Sequence, residues 1–157
     1  MKKLSVTLKL SVGGMALCAL LLYLGAIPLF ALSMRNAYPE FSDRFWPWLA
    51  FLWGSALPCY GALFCGWSVA REIGRGNAFS RENAASLRTV ALLAVVDTVY
   101  FALGNMILFL RSMSHPGIAL VLMAVCVVGV IVAAVASTLS KLVAEAARLR
   151  EEQDLTI

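Results

Sequence analysis

A bundle of four membrane-spanning α-helices is the fold that this sequence predicts, and three observations point to it. Apolar residues make up 61% of the 157 residues and charged residues only 14%, whereas a soluble domain has roughly 25% charged residues. The mean hydropathy is +0.84. Four apolar stretches, each long enough to cross a bilayer, alternate with short charged segments. The sequence therefore predicts an all-α integral membrane protein.

A single integral membrane domain spanning residues 1–157 contains the predicted helices, at about residues 10–34, 45–70, 84–111 and 116–150. The apolar stretches at the centres of these helices, residues 10–33, 45–70, 89–110 and 117–140, contain a single charged residue, Asp97. The turn from Arg111 to Pro116 is very short, so we expect helices three and four to form an antiparallel hairpin. Helix four is expected to extend into the cytoplasm as an amphipathic arm, and residues 151–157 form a C-terminal tail.

The lysines and arginines of the short loops predict the orientation of the chain, because cytoplasmic loops carry an excess of these residues. Three lie on the side that holds the loop between helices one and two and the turn between helices three and four: Arg35, Arg44 and Arg111. Ten lie on the other side: Lys2, Lys3, Lys9, Arg71, Arg75, Arg81, Arg88, Lys141, Arg148 and Arg150. Both termini are therefore predicted to be cytoplasmic, in a multi-pass protein of the bacterial cell (inner) membrane.

Three other patterns concern how the helices lie in the bilayer and pack together. Aromatic residues crowd the first external loop, where rings anchor a protein at the membrane–water boundary: Tyr38, Phe41, Phe45, Trp46 and Trp48. Pro28 and Pro58 lie inside helices one and two, and each should bend its helix because it removes a backbone donor. Rows of small residues, such as Ala50 and Gly54, allow close helix packing and leave a homo-oligomer open.

The residues that usually carry catalysis or metal binding are not suitably spaced. The cysteines, which are Cys18, Cys59, Cys65 and Cys126, form no CxxC pair and have no histidine at a metal-ligand spacing. His115 is the only histidine and lies at an external turn, so no catalytic triad can form at the cytoplasmic face. We therefore expect no enzyme activity, metal, cofactor or disulfide.

Asp97 is the first candidate functional residue, because a carboxyl group at mid-depth costs about 2.5–3.5 kcal/mol to insert. Its helix face should point into the bundle together with Asn105, which lies about 80° away around the helix. Asp97 can serve as a proton or cation site, as a polar switch between two packings, or simply as a protonated group bonded to a neighbouring helix. The sequence offers no second intramembrane carboxylate, which argues against a proton relay.

The middle cytoplasmic loop is the second candidate. Gly74 and Gly76 should end helix two, Ser80 should cap helix three, and Phe79 precedes that cap, where it can staple onto the helix. The loop is either a simple helix-to-helix turn or a docking site. As a docking site it would use Arg75, Phe79, Arg81, Glu82 and Asn83.

The tail is the third candidate, and it is either a solvated end or a docking peptide for a cytosolic partner. Pairs such as Arg148–Glu152 should support the arm, and acidic residues oppose the helix dipole, so we expect fraying near Glu152. The docking residues would be Glu151, Glu152, Asp154, Leu155 and Ile157.

Two segments resemble a bacterial membrane family catalogued as domain of unknown function 2975. Residues 73–83, IGRGNAFSREN, followed by Leu87 and Arg88, are similar to the family's "GxPFSxEN…LR" loop, with Ala78 in place of the usual proline. Residues 149–157, LREEQDLTI, are similar to its "LxEExDLTI" ending. Members are often encoded beside a small Cro/C1-type helix-turn-helix protein, so the resemblance implies a membrane partner for such a regulator.

The function predicted on this basis is a non-enzymatic membrane protein that sequesters a helix-turn-helix regulator at its cytoplasmic face. The loop itself should not bind nucleic acid, because it has no recognition element. The alternative is a small transporter or channel component that uses Asp97.

Overall fold

The computed structural model describes residues 2–37, 45–113 and 116–154, and these are helical except for short connections. Six α-helices are present in the described ranges: α1 Lys2–Leu21, α2 Ile27–Ala37, α3 Phe45–Gly54, α4 Ala56–Gly74, α5 Arg81–Leu110 and α6 Pro116–Asp154. They combine into four helices that are long and apolar enough to cross a membrane. The prediction of an all-α, four-span protein is confirmed.

The first span is longer than predicted, because helix begins at Lys2 rather than near residue 10. The fourth is also long: α6 has 39 residues, which corresponds to about 58 Å at 1.5 Å per residue. A hydrocarbon core is only about 30 Å thick, so α6 extends well beyond it. The helix continues to Asp154, past the predicted fraying point, and Arg148 Nε donates to Glu152 Oε1 at 2.9 Å in its last turns.

Both prolines distort their spans one turn upstream of the ring. A π-helical turn, Leu22–Ala26, precedes Pro28 and separates α1 from α2, and Ser55 interrupts the second span three residues before Pro58. A proline has no N–H to donate to the carbonyl four residues earlier, and its ring clashes with that carbonyl. The irregular backbone includes or directly follows the residue four positions before each proline. The structure thus shows an interruption in each helix where a bend was predicted.

The spans pack in chain order. α1 packs mainly on α4, α4 on α5, and α5 along α6. The α5–α6 hairpin is antiparallel, as predicted: Ser140 Oγ donates to the Ala84 carbonyl at 2.7 Å, and Asn105 Nδ2 donates to the Ala119 carbonyl at 3.1 Å. These two bonds join opposite ends of the hairpin.

The N-terminal end of α1, the connection between α4 and α5, and the C-terminal end of α6 lie at one end of the molecule, here named the loop end. Ser5 Oγ donates to the Ala70 carbonyl at 2.8 Å, which joins α1 to the last turns of α4. The loop end carries the predicted cytoplasmic lysines and arginines. At the opposite end Trp48 Nε1 donates to the Met113 carbonyl at 2.9 Å. Tyr38, Phe41 and His115 lie outside the described residues.

Candidate functional site

Asn83 organises the connection between α4 and α5. Its side chain, 2% exposed, donates through Nδ2 to the carbonyls of Asn77 at 3.1 Å and Ala78 at 3.0 Å. Its backbone N–H donates to Ser80 Oγ at 3.2 Å, which confirms Ser80 as the N-cap of α5. Asn83 was predicted as a partner-docking residue, but its side chain is buried within the loop and is not part of the exposed surface. It instead holds the loop in one conformation.

The glycines and the aromatic residue of this loop differ from the prediction in part. Gly76 has φ +89, a conformation that glycine adopts without strain. Gly74 is the last residue of α4, and a Cβ there would overlap the Ser5 hydroxyl, so its role is close packing rather than termination. Phe79 is 56% exposed, so much of its ring faces away from the protein, and the staple that its position suggested stays a prediction.

An ion pair joins the loop to the end of α6. Arg81 Nε donates to Glu151 Oε1 at 3.0 Å, and Nη2 donates to Oε2 at 2.5 Å, which is the two-pronged geometry that arginine favours with carboxylates. The two residues are 70 positions apart in the chain. The middle loop and the tail were predicted as separate docking candidates, and the structure brings them together.

A shallow pocket surrounds this ion pair, with a volume of about 440 Å³. Its exposed members are Asn77 and five aromatic or charged residues, and we name these five the loop–tail surface: Phe79, Arg81, Glu82, Arg150 and Glu151. The surface thus has one exposed aromatic ring with charges of both signs around it. Protein interfaces commonly have this composition, an apolar centre with a polar rim. Arg150 was missed by sequence reasoning, although its place next to Glu151 on α6 could have indicated it.

The other predicted docking residues lie elsewhere. Arg75 Nη1 is 2.8 Å from Glu72 Oε1 and does not line this pocket. Glu152 pairs with Arg148 on α6. Leu155 and Ile157, with the side chain of Asp154, lie outside the described residues.

The second candidate region is where the two proline-associated breaks meet in the middle of the first and second spans. Ser55, 1% exposed, donates to the Leu52 carbonyl at 2.8 Å. The Tyr23 hydroxyl lies 2.8 Å from Ser55 Oγ and must be the donor, because Ser55 has already used its single proton. Trp53 Nε1 donates to the Tyr23 carbonyl at 3.0 Å. Irregular backbone at membrane depth is thus satisfied by side chains.

Asp97 lies on α5 beside these breaks. It lies three residues before Tyr100, about one turn away on the same helix face, and its Oδ1 atom is buried without a hydrogen-bond partner. The Tyr100 hydroxyl donates to the Phe51 carbonyl at 2.8 Å. We name Tyr23, Ser55, Asp97 and Tyr100 the central polar cluster. Tyr23 and Ser55 were missed, although Ser55 lies three residues before Pro58.

Asn105 is not part of this cluster. It is eight residues from Asp97 on α5, which is about 12 Å along the helix, and its side-chain amide bonds to α6. Its Oδ1 atom is buried without a partner. Within the described ranges no group of three or more histidine, cysteine, aspartate or glutamate side chains is placed to hold a metal ion.

Four apolar spans define the class of the protein as a multi-pass integral membrane protein. The chain belongs to the family described as "Protein of unknown function (DUF2975)", whose profile matches residues 29–157, so the resemblance drawn from the loop and the tail is confirmed. It is 25% identical over 146 residues to the "Uncharacterized membrane protein YoaS" of Bacillus subtilis (strain 168), covering 92% of this chain and 90% of that protein. No solved structure matches the chain.

Proposed function

We propose that the protein is a non-enzymatic membrane partner of a small, soluble helix-turn-helix regulator of the Cro/C1 type, which it binds through the loop–tail surface. The surface would face the cytoplasm of a bacterial cell, with the protein in the cytoplasmic (inner) membrane. The positive-inside distribution of lysine and arginine supports this orientation.

One observation carries the proposal: Arg81 and Glu151 join the two segments whose motifs are most like the family. The ion pair is not the only contact that orders this end of the described structure, because Asn83 also holds the loop and Ser140 also joins the hairpin. A salt bridge between exposed groups adds little to stability. Its position is better explained by the surface that it shapes.

The chemistry of the surface suits a protein partner. Phe79 offers an exposed ring that a partner can cover, and aromatic residues are frequent among the residues that dominate binding energy. Arg81, Glu82, Arg150 and Glu151 place both signs of charge around it, which favours a partner of complementary charge pattern over a simple polyanion. The mechanism is sequestration: a regulator held at the membrane is withheld from DNA.

A pull-down from native membranes in detergent tests the proposal. The full chain should retain a small helix-turn-helix protein, and a chain that lacks residues 151–157 should lose it. Phe79→Ala should weaken binding by at least about tenfold, the loss typical of a central aromatic residue.

A charge exchange makes the same test specific. Arg81→Glu and Glu151→Arg should each weaken capture, and the double variant should recover part of it, because the ion pair is rebuilt although the two charges that face the partner are reversed. Glu145→Arg, on the same helix but outside the surface, is the matched control and should bind normally. Equal capture by every variant, or no helix-turn-helix protein in any eluate, would remove the proposal.

The central polar cluster favours a second candidate, a small transporter or channel component. Its specific support is the unpartnered Asp97 Oδ1 beside an interrupted span, since interrupted helices form substrate sites in many transporters. Asp97→Asn in reconstituted vesicles separates the two candidates. Transport of a proton or cation should stop in this variant, whereas binding of a regulator at the loop–tail surface should continue.

A further inference from the structure

A second pocket at the loop end lies between α1 and α4 and shares no residue with the loop–tail surface. Its volume is about 340 Å³, and we name it the basic groove. It is lined by Ser5, Val6, Lys9, Arg71, Gly74 and Arg75.

The walls of the groove are built by close contact between the two helices. Ser5 is 3% exposed and its hydroxyl donates to the Ala70 carbonyl at 2.8 Å. The same side chain fills the space that a Cβ on Gly74 would need. These contacts fix the first turns of α1 against the last turn of α4, so the cations on both helices are held around one opening.

The groove carries an excess of positive charge. It contains Lys9 from α1 and Arg71 and Arg75 from α4, and the nearby Glu72 is paired with Arg75 at 2.8 Å. Three cations and one carboxylate leave two positive charges. Within the described part of the chain, neither Lys9 nor Arg71 has an ion-pair partner. Both therefore remain available to an anion.

The depth of the groove identifies the kind of anion. The first two apolar spans are Ser5–Ser33 and Phe45–Gly74, so the groove lies where both meet the boundary of the bilayer. Trp67, one turn before Arg71 on α4, marks that boundary as tryptophan commonly does. Phospholipid phosphates lie at this level, and the exposed side chains of Val6 and Leu10 continue from the groove along the lipid-facing side of α1.

We propose that the basic groove binds the phosphate group of an anionic phospholipid. Basic pockets between membrane helices on the cytoplasmic side bind lipid headgroups. Arg71 can hold two phosphate oxygens with its planar guanidinium, while Lys9 acts as a point charge. The adjacent apolar side of α1 contacts the acyl chain, which a free phosphate ion lacks.

The test is lipid binding to the purified full chain in a non-ionic detergent, followed by native mass spectrometry and thermal midpoint. Phosphatidylglycerol should bind and raise the midpoint, whereas phosphatidylcholine and inorganic phosphate at equal concentration should do neither. Lys9→Gln combined with Arg71→Gln should weaken phosphatidylglycerol binding at least about tenfold, since each cation near an anionic surface contributes about 1 kcal/mol.

The matched control is Arg88→Gln combined with Lys141→Gln, two exposed cations of the same end outside the groove, which should bind as the native chain does. Val6→Trp should also weaken binding, because it fills the groove without removing a charge, and it keeps the test valid if the double variant does not fold. The proposal is overturned by equal binding of phosphatidylcholine, by equal binding of inorganic phosphate, or by equal loss in the control.

Discussion

The loop–tail surface and the central polar cluster each include residues of α5, on which Arg81 and Asp97 lie about 24 Å apart along the helix axis. At the first, polar groups are charged, exposed and paired: the side chains of Arg81 and Glu151 are 74% and 51% exposed. At the second, hydroxyls and backbone carbonyls bond to one another, and the carboxyl oxygen Asp97 Oδ1 has no partner.

This difference follows from the surrounding medium. Water screens the ion pair at the loop end, so that pair contributes little to stability. Lipid and protein surround the central cluster, where a backbone group without a hydrogen bond costs much free energy. The side chains of the cluster therefore bond to backbone carbonyls near the interruptions of the first two spans. The first region is therefore expected to matter for binding and the second for stability, and four predictions test that division.

The largest effect on stability is expected from Gly104→Ala, next to the central cluster. A Cβ on Gly104 would overlap the ring of Phe51, whose carbonyl accepts the bond from Tyr100. We expect the free energy of unfolding in detergent to fall by about 1–3 kcal/mol, the usual cost of overpacking. Gly14→Ala is the control, because nothing lies within 4 Å of a Cβ there; it should be neutral or stabilising. An equal loss in both variants would contradict this explanation.

A smaller loss is expected for Ser55→Ala. The substitution removes the bond from Tyr23 and the bond to the Leu52 carbonyl, and hydrogen bonds within membrane proteins contribute about 0.6 kcal/mol on average and up to about 1.7 kcal/mol. The free energy of unfolding should decrease by an amount within this range. Thr138→Ala, which loses only a bond to Ala134 of the same helix, should change it less.

Asp97→Asn should change the free energy of unfolding by less than about 1 kcal/mol, or raise it. The amide has the same shape as the carboxyl group but avoids the cost of a charge at mid-depth, and Asp97 Oδ1 makes no hydrogen bond to lose. Thermal or detergent unfolding measures this directly. A loss of several kcal/mol would mean that the carboxyl group itself holds the spans together.

The smallest effect on stability is expected at the loop end. Arg81→Gln should shift the thermal midpoint slightly at low salt, and the shift should vanish near 1 M NaCl, where the screening length is about 3 Å. Arg148→Gln, which breaks the exposed pair with Glu152 within α6, is the control and should behave alike. A large shift that persists in high salt would place the loop–tail surface among the stabilising contacts.

Part of each region could be predicted from local patterns. Asp97 stood out as the only charge in an apolar stretch, and Ser80 as an N-cap from its position before α5. Arg81 and Glu151 were both candidates, but their contact depends on how α5 and α6 align over their whole length. Tyr23 and Ser55 were missed because their bond joins two irregular turns, and no periodic pattern indicates that these turns face each other.

The sequence by itself determined that the chain crosses a membrane four times, because the length and apolarity of a stretch decide whether it can leave water. It also determined the hairpin of the last two spans and, through the two prolines, where the first two spans are interrupted, since these are local effects of chain length and missing donors. Only the tertiary structure decided that the loop meets the tail, that the two interruptions are bonded to each other, and that Lys9 and Arg71 line one groove. Such contacts depend on the relative rotation and depth of packed helices, which many distant side chains set together.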